Sequence, residues 1–171
     1  MRKYIHLFIM VMLAATMTAC VEEDPTDDSN IVTVGDALPR FSVSTAEGNV
    51  VSSDSLVGHR SVVVFFNTSC SDCREELPRV DSLYQAMTTA ADFRLICIAR
   101  EESKESIARF WNEKGLTMPY APQQDRSVYS LFARSIIPRI YICSADGVVR
   151  FMYGDSYMPS FAELMNSINA L

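Results

Sequence analysis

Ser61-Val62-Val63-Val64-Phe65-Phe66-Asn67-Thr68-Ser69-Cys70-Ser71-Asp72-Cys73 is the stretch that decides how this chain folds. The apolar run does not alternate with polar residues, which suits a strand covered on both faces in the middle of a sheet. Two cysteines two residues apart then open a segment of helical period. A first cysteine at a helix N-terminus lies among unpaired backbone N–H groups, which favour its thiolate. The thiolate is the attacking species in disulfide exchange, and a second cysteine within one turn can resolve the mixed disulfide. The pattern therefore points to thiol–disulfide exchange. The same spacing also makes half of a zinc site. The other candidate ligands, Cys20, Cys97, Cys143, His6 and His59, form no second CxxC or HxxxH pair to complete a tetrahedral structural site, so no metal is expected. Two unrelated buried cysteines are the remaining alternative, and the polar Ser71, Asp72 and Arg74-Glu75-Glu76 around them argue against it.

Outward from this stretch, Leu77, Val80, Leu83, Tyr84 and Met87 recur at helical spacing, and Pro78 is expected to kink that helix. Arg94–Ala99 reads as the next strand, Ser103–Lys114 as a helix ending at Gly115, and Ser127–Ala133 as a shorter helix. Ile140–Cys143 and Val148–Tyr153 flank Asp146-Gly147, a hairpin turn signal. Phe161–Leu171 closes the chain as a helix. Upstream, two alternating stretches around Glu47-Gly48-Asn49 predict an antiparallel hairpin. Strand, helix, strand, helix, hairpin, helix is a mixed α/β sheet whose parallel strands are joined by helices.

The ends carry a different message. Residues 1–19 read as a signal peptide: Arg2 and Lys3, an apolar stretch from Tyr4 to Ala15, then small residues. That stretch is shorter than the roughly 20 residues a bilayer-spanning helix needs. Met17-Thr18-Ala19-Cys20 resembles the lipobox of bacterial lipoproteins, which would make Cys20 the lipidated residue and anchor the protein to a membrane. Residues 20–31 are acidic and cannot bury enough apolar surface to fold, so they read as a flexible tether. An acidic run behind a lipidated cysteine also resembles the surface-export signals of some Bacteroidetes lipoproteins. Loss of Arg2 and Lys3 with the signal takes the formal charge from −6 to −8, which argues against nucleic acid as a partner. Residues 32–171 are left as one domain with one core.

Over nearly all of that domain the chain resembles the TlpA/ResA-like thiol-disulfide oxidoreductases of the thioredoxin superfamily. The likeness rests on Gly35-Asp36-Ala37-Leu38-Pro39-Arg40-Phe41, Ser55-Leu56-Val57-Gly58-His59, the apolar run before Cys70 and Cys73-Arg74-Glu75-Glu76-Leu77-Pro78. Leu116-Thr117-Met118-Pro119-Tyr120, Ile137-Pro138 and Tyr141–Gly147 complete it. The resemblance implies a thioredoxin-like fold: a central mixed sheet flanked by helices, an N-terminal β-hairpin, and a helix/strand insertion before a cis-proline. It makes Cys70 the nucleophile, Cys73 the resolving cysteine, Pro138 the cis-proline and Ile137 the residue whose backbone pairs with substrate. Glu76 corresponds to the acid that in this group helps set the cysteine pKa values. The implied setting is the periplasm-facing cell envelope. There the protein would act as a monomer on protein disulfides, with a membrane thiol-electron carrier as its reductant and no cofactor.

Two positions depart from the pattern. Ser69 stands where the group usually has tryptophan beside the substrate, and Ser69-x-x-Asp72 is able to cap the helix instead. Val64 stands where thioredoxins have a buried acid, which leaves Glu76 as the better proton handler. Asp72 between the cysteines opposes thiolate formation and favours a reducing poise. The fold would set Cys97 and Cys143 on strands either side of the CxxC strand, roughly 9 to 10 Å apart and beyond disulfide reach. Both, like Phe110 and Trp111, read as core, and His59 as a solvated loop residue. Two rivals remain: a thiol peroxidase, for which Asn67 stands where peroxiredoxins have threonine, and a binding module with a structural disulfide.

Overall fold

The computed structural model describes residues 29–154 and 156–171. The signal segment, Cys20 and all of the tether before Ser29 lie outside the described residues. In chain order the elements are β1 (Ser42–Ser44), β2 (Val50–Ser52), α1 (Ser53–Leu56), β3 (Arg60–Phe66), α2 (Ser71–Met87), β4 (Phe93–Ala99) and α3 (Lys104–Lys114). They continue with β5 (Tyr120–Ala121), a 3-10 turn at Tyr129–Leu131, β6 (Arg139–Cys143), β7 (Val149–Tyr153) and α4 (Phe161–Asn169).

The central sheet runs β5-β4-β3-β6-β7, so the apolar run is its middle strand, as its unbroken hydrophobicity requires. β3 pairs parallel with β4 and antiparallel with β6, and β4 pairs parallel with β5. Val62 to Phe66 have no solvent exposure. Successive side chains of a strand face opposite ways. Phe66 meets Trp111 of α3 at 5.1 Å, while Phe65 packs on the other face against Phe132, Tyr129 and Tyr141. The CxxC helix α2 packs against α4. It is also tied to the end of α3 by buried Asp81, which accepts from the N–H groups of Thr117 (2.7 Å) and Met118 (2.9 Å).

The β6–β7 hairpin turns at Asp146-Gly147, where Gly147 takes φ 79 and the Asp146 carboxylate accepts from the Val148 N–H. The N-terminal hairpin forms between β1 and β2 as a separate two-stranded sheet. α1, for which no helix is read from the sequence, is nucleated by a reciprocal Ser52–Ser55 capping box. α2 runs unbroken through Pro78.

The helix expected over Ser127–Ala133 shrinks to one 3-10 turn for a tertiary reason. The Phe132 carbonyl is taken by the N–H groups of Ile31 (3.0 Å) and Val32 (2.9 Å), and Tyr129 Oη donates to the Ile136 carbonyl at 2.7 Å. The same contacts show Ser29–Ile31, at the end of the acidic segment, lying on the domain, with Ser29 buried.

Candidate redox-active site

The dithiol sits where β3 gives way to α2. Cys70 has extended backbone (φ −80, ψ 125) and is itself the N-cap, its Sγ accepting from the Cys73 N–H at 3.4 Å. The cap foreseen at Ser69 is therefore corrected: Ser69 N and Oγ both donate to Asn67 Oδ1, because the helix starts one residue later. Exposed Ser69 still flanks Cys70. Cys70 is half-buried, whereas Cys73 is fully buried, and both thiols are free. Burial pushes the Cys73 thiol well above its ordinary value, against the smaller pull of the Asn67 backbone and the Arg100 charge.

The Ile137–Pro138 peptide is cis, and its loop faces the dithiol: Cys70 Sγ donates to the Ile137 carbonyl at 3.5 Å. The geometry thus brings Cys70, Cys73, Pro138 and Ile137 together. The strand positions of the other cysteines are also as expected, with Cys97 opposite Val64 on β4 and Cys143 opposite Ser61 on β6. Val64 is an apolar core residue and supplies no acid.

Glu76, one turn beyond Cys73 on α2, is buried. Oε2 accepts from Arg79 Nη1 at 2.9 Å, while Oε1 finds no donor among the described residues. Glu76 lines a narrow crevice with Pro138, Ile140, Tyr153 and Met158. Burial accordingly raises the Glu76 pKa above the ordinary glutamate value, and Arg79 only partly opposes it. The acid read from the sequence is therefore a carboxyl that burial makes hold its proton to higher pH than an ordinary glutamate, beside the cis-proline.

Three supports had no signal in the sequence. Buried Glu102 accepts from Thr68 N at 2.7 Å, from Thr68 Oγ1 and from Ser106 Oγ at 2.6 Å, which fixes the loop leading into Cys70. Asn67 Nδ2 donates to the Arg100 carbonyl at 2.9 Å, bracing the same loop from the end of β4. Arg139 follows the cis-proline and is buried at the start of β6, one residue before the strand read from the sequence at Ile140. A cleft of about 360 Å³ lined by Asn30, Ile136, Arg139, Met152, Tyr153 and Tyr157 opens beside this loop.

The chain is similar to a thiol-disulfide oxidoreductase called ResA from Bacillus anthracis, 22% identical over 148 residues that span 86% of this chain and 85% of the relative. A solution structure from Bacteroides thetaiotaomicron, proposed as a protein disulfide isomerase, matches with a TM-score of 0.77 and 26% identity, over 82% of this chain and 91% of that one. A thiol:disulfide interchange protein of the thioredoxin family from Chlorobium tepidum TLS shares the fold, with a TM-score of 0.69, 23% identity, and 81% and 97% of the two chains covered. The thioredoxin-like architecture expected from the sequence is thus present, from the N-terminal hairpin to the cis-proline loop. Since the profile of the AhpC/TSA family also matches residues 34–152, well over half of its length, the chain belongs to the AhpC/TSA family.

Proposed function

We propose that this protein is a membrane-tethered thiol–disulfide oxidoreductase of the cell envelope that reduces disulfides of partner proteins. The observation that carries the reading is the pairing of a half-buried Cys70, at a helix N-cap and facing the cis-proline loop, with Cys73 one turn on. The likeness to ResA over most of both chains supports it.

In the first step the Cys70 thiolate attacks one sulfur of the partner's disulfide. The partner S–S bond breaks, a Cys70–partner disulfide forms, and the departing partner sulfur takes a proton. Cys73 then loses its proton, attacks Cys70 Sγ and releases the second partner thiol, leaving a Cys70–Cys73 disulfide. Two electrons have moved to the partner, and a membrane thiol carrier returns two to the protein.

Burial holds the proton on Cys73, so the second step needs help. Glu76 is the candidate proton handler, one helical turn away with an oxygen that no described donor satisfies. In this reading substrate backbone lies along Ile137, and exposed Ser69 offers a polar rim where an aromatic cover would restrict approach.

The test is to equilibrate the mature protein with glutathione or dithiothreitol buffers and count free thiols on Cys70 and Cys73 by mass spectrometry. A potential below roughly −230 mV supports a reductant, whereas one near −120 mV makes the protein a disulfide donor and overturns that direction.

A further inference from the structure

We infer that Arg139 is a positioning residue for protein substrates, holding the cis-proline loop by clamping it to the chain's N-terminal segment. This rests on the exchange reaction proposed above and adds a part that the dithiol itself does not contain.

Arg139 is 2% exposed and immediately follows Pro138. Its Nε donates to the carbonyls of Ser135 (3.1 Å) and Ile136 (3.2 Å), and Nη2 reaches the Ser135 carbonyl at 2.9 Å. The other edge of the guanidinium points to a different segment: Nη1 donates to Asn30 Oδ1 and Nη2 to Ser29 Oγ. That segment is itself docked. The Ser29 carbonyl accepts from Arg134 N at 2.8 Å, and Ile31 and Val32 both pair with Phe132. One planar fork therefore spans two stretches of chain more than a hundred residues apart.

The loop needs holding. Ile136 adopts φ 74, a left-handed conformation that is costly for a β-branched residue unless its surroundings impose it. Its carbonyl is pinned from two sides, by Arg139 Nε and Tyr129 Oη. The next carbonyl, that of Ile137, is the one facing Cys70 Sγ. The guanidinium is held by neutral acceptors, the carbonyls of Ser135 and Ile136, Asn30 Oδ1 and Ser29 Oγ. What the fork does secure is the placement of the backbone against which a substrate strand must lie.

A protein disulfide that docks along Ile137 should feel a shifted loop, whereas a small aromatic disulfide that touches only Cys70 should not. The experiment compares the wild type with Arg139→Met, Arg139→Lys and the double variant Ser29→Ala/Asn30→Ala, all in the full mature chain. Each is assayed for insulin reduction and for reaction with 5,5′-dithiobis(2-nitrobenzoate). The expected result is a KM for insulin raised about tenfold in Arg139→Met and about threefold in the double variant, which loses only the two outer hydrogen bonds. Arg139→Lys should fall between the wild type and Arg139→Met, because one ammonium cannot serve both segments. The aromatic disulfide needs no docking along Ile137 and should react with all variants within about twofold of the wild-type rate, a small change reporting only the Ile137–Cys70 contact. An unchanged insulin KM overturns the clamp, and so does an equal fall in both reactions, which would mark a purely structural role. If Arg139→Met fails to fold, the double variant decides. A wild type that reacts with the aromatic disulfide but never reduces insulin would sink the exchange reading itself.

Discussion

Of the four described cysteines, two lie in strands of the central sheet and two at the start of α2, and the pairs live in opposite chemical worlds. Cys97 and Cys143 lie within strands on either side of β3, fully buried. Burial pushes the Cys143 thiol up to about 12 and the Cys97 thiol well above its usual value, and the closest partner of Cys97 Sγ is Met118 Sδ at 3.5 Å. Cys73 is just as buried, yet it lies one helical turn from Cys70, whose half-buried sulfur caps a helix and faces the cis-proline loop. The contrast teaches that burial alone does not retire a cysteine. What separates the pairs is the strand-to-helix junction, which gives Cys73 a neighbouring sulfur to attack.

The largest effect follows directly. Cys70→Ser should reduce insulin reduction to the uncatalysed background, and Cys73→Ser should leave Cys70 locked in a mixed disulfide with substrate, visible as a mass adduct. Cys97→Ala and Cys143→Ala should keep full exchange activity and cost about 1 kcal/mol each in stability for the lost sulfur contacts. Activity lost with either strand cysteine would break the comparison. Rapid hydrogen peroxide consumption by Cys73→Ser would instead bring the protein under the peroxidase reading.

Alkylation sharpens the same contrast without any mutation. At pH 8 a thiol with a pKa near 12 is ionised in only about one molecule in ten thousand, so iodoacetamide should label Cys143 only on unfolding. Cys70 should label in the native protein. Mass spectrometry against time, with and without urea, reads both.

Much of this arrangement was legible in the sequence because it depends on local signals. The unbroken run Val62–Phe66 marked the central strand, the spacing of Leu77, Val80 and Leu83 marked the helix, and the two cysteines marked the junction. The supports were not legible because their meaning is set by partners distant in sequence. Glu102 reads as half of an acidic doublet, and only the fold places it on Thr68, 34 residues away. Arg139 and Asn30 are 109 residues apart, and nothing near either announces the other. The same tertiary pull that docks Ser29–Val32 on Phe132 removes most of the helix expected over Ser127–Ala133. At Ser69 the failure was local, a shift of one residue, because the Cys70 sulfur took the capping role.

Glu102 gives the next prediction down in size. Replacing it with alanine strands the Thr68 N–H, the Thr68 hydroxyl and the Ser106 hydroxyl beneath the CxxC loop. The expected cost is about 2–3 kcal/mol, measured by urea unfolding, together with slower labelling of Cys70 as its loop loosens. A neutral Glu102→Ala would mean that Asn67 and its bond to the Arg100 carbonyl hold the loop unaided.

The smallest effect separates Glu76 from Glu102, two buried acids at the same end of the sheet. Glu102 receives three donors, while Glu76 receives Arg79 on one oxygen and no described donor on the other. An unfolded glutamate releases its proton near pH 4.3, but burial makes folded Glu76 hold it to higher pH. Between those two values the unfolded chain binds fewer protons than the folded one, so stability falls as pH rises through that window. Its favourable contribution is complete below the ordinary glutamate range and is lost as the pH climbs through the folded pKa. Glu76→Gln abolishes the titration. The thermal midpoint of the variant, relative to the wild type, should therefore climb from about pH 4.3 upward and level off once wild-type Glu76 has ionised. The rate at which Cys73 resolves the mixed disulfide should lose its dependence on pH over the same window. A midpoint difference that stays flat from pH 4 to 8 would show that Glu76 titrates as an ordinary glutamate, leaving Arg79 as its adequate partner and the deprotonation of Cys73 to another group.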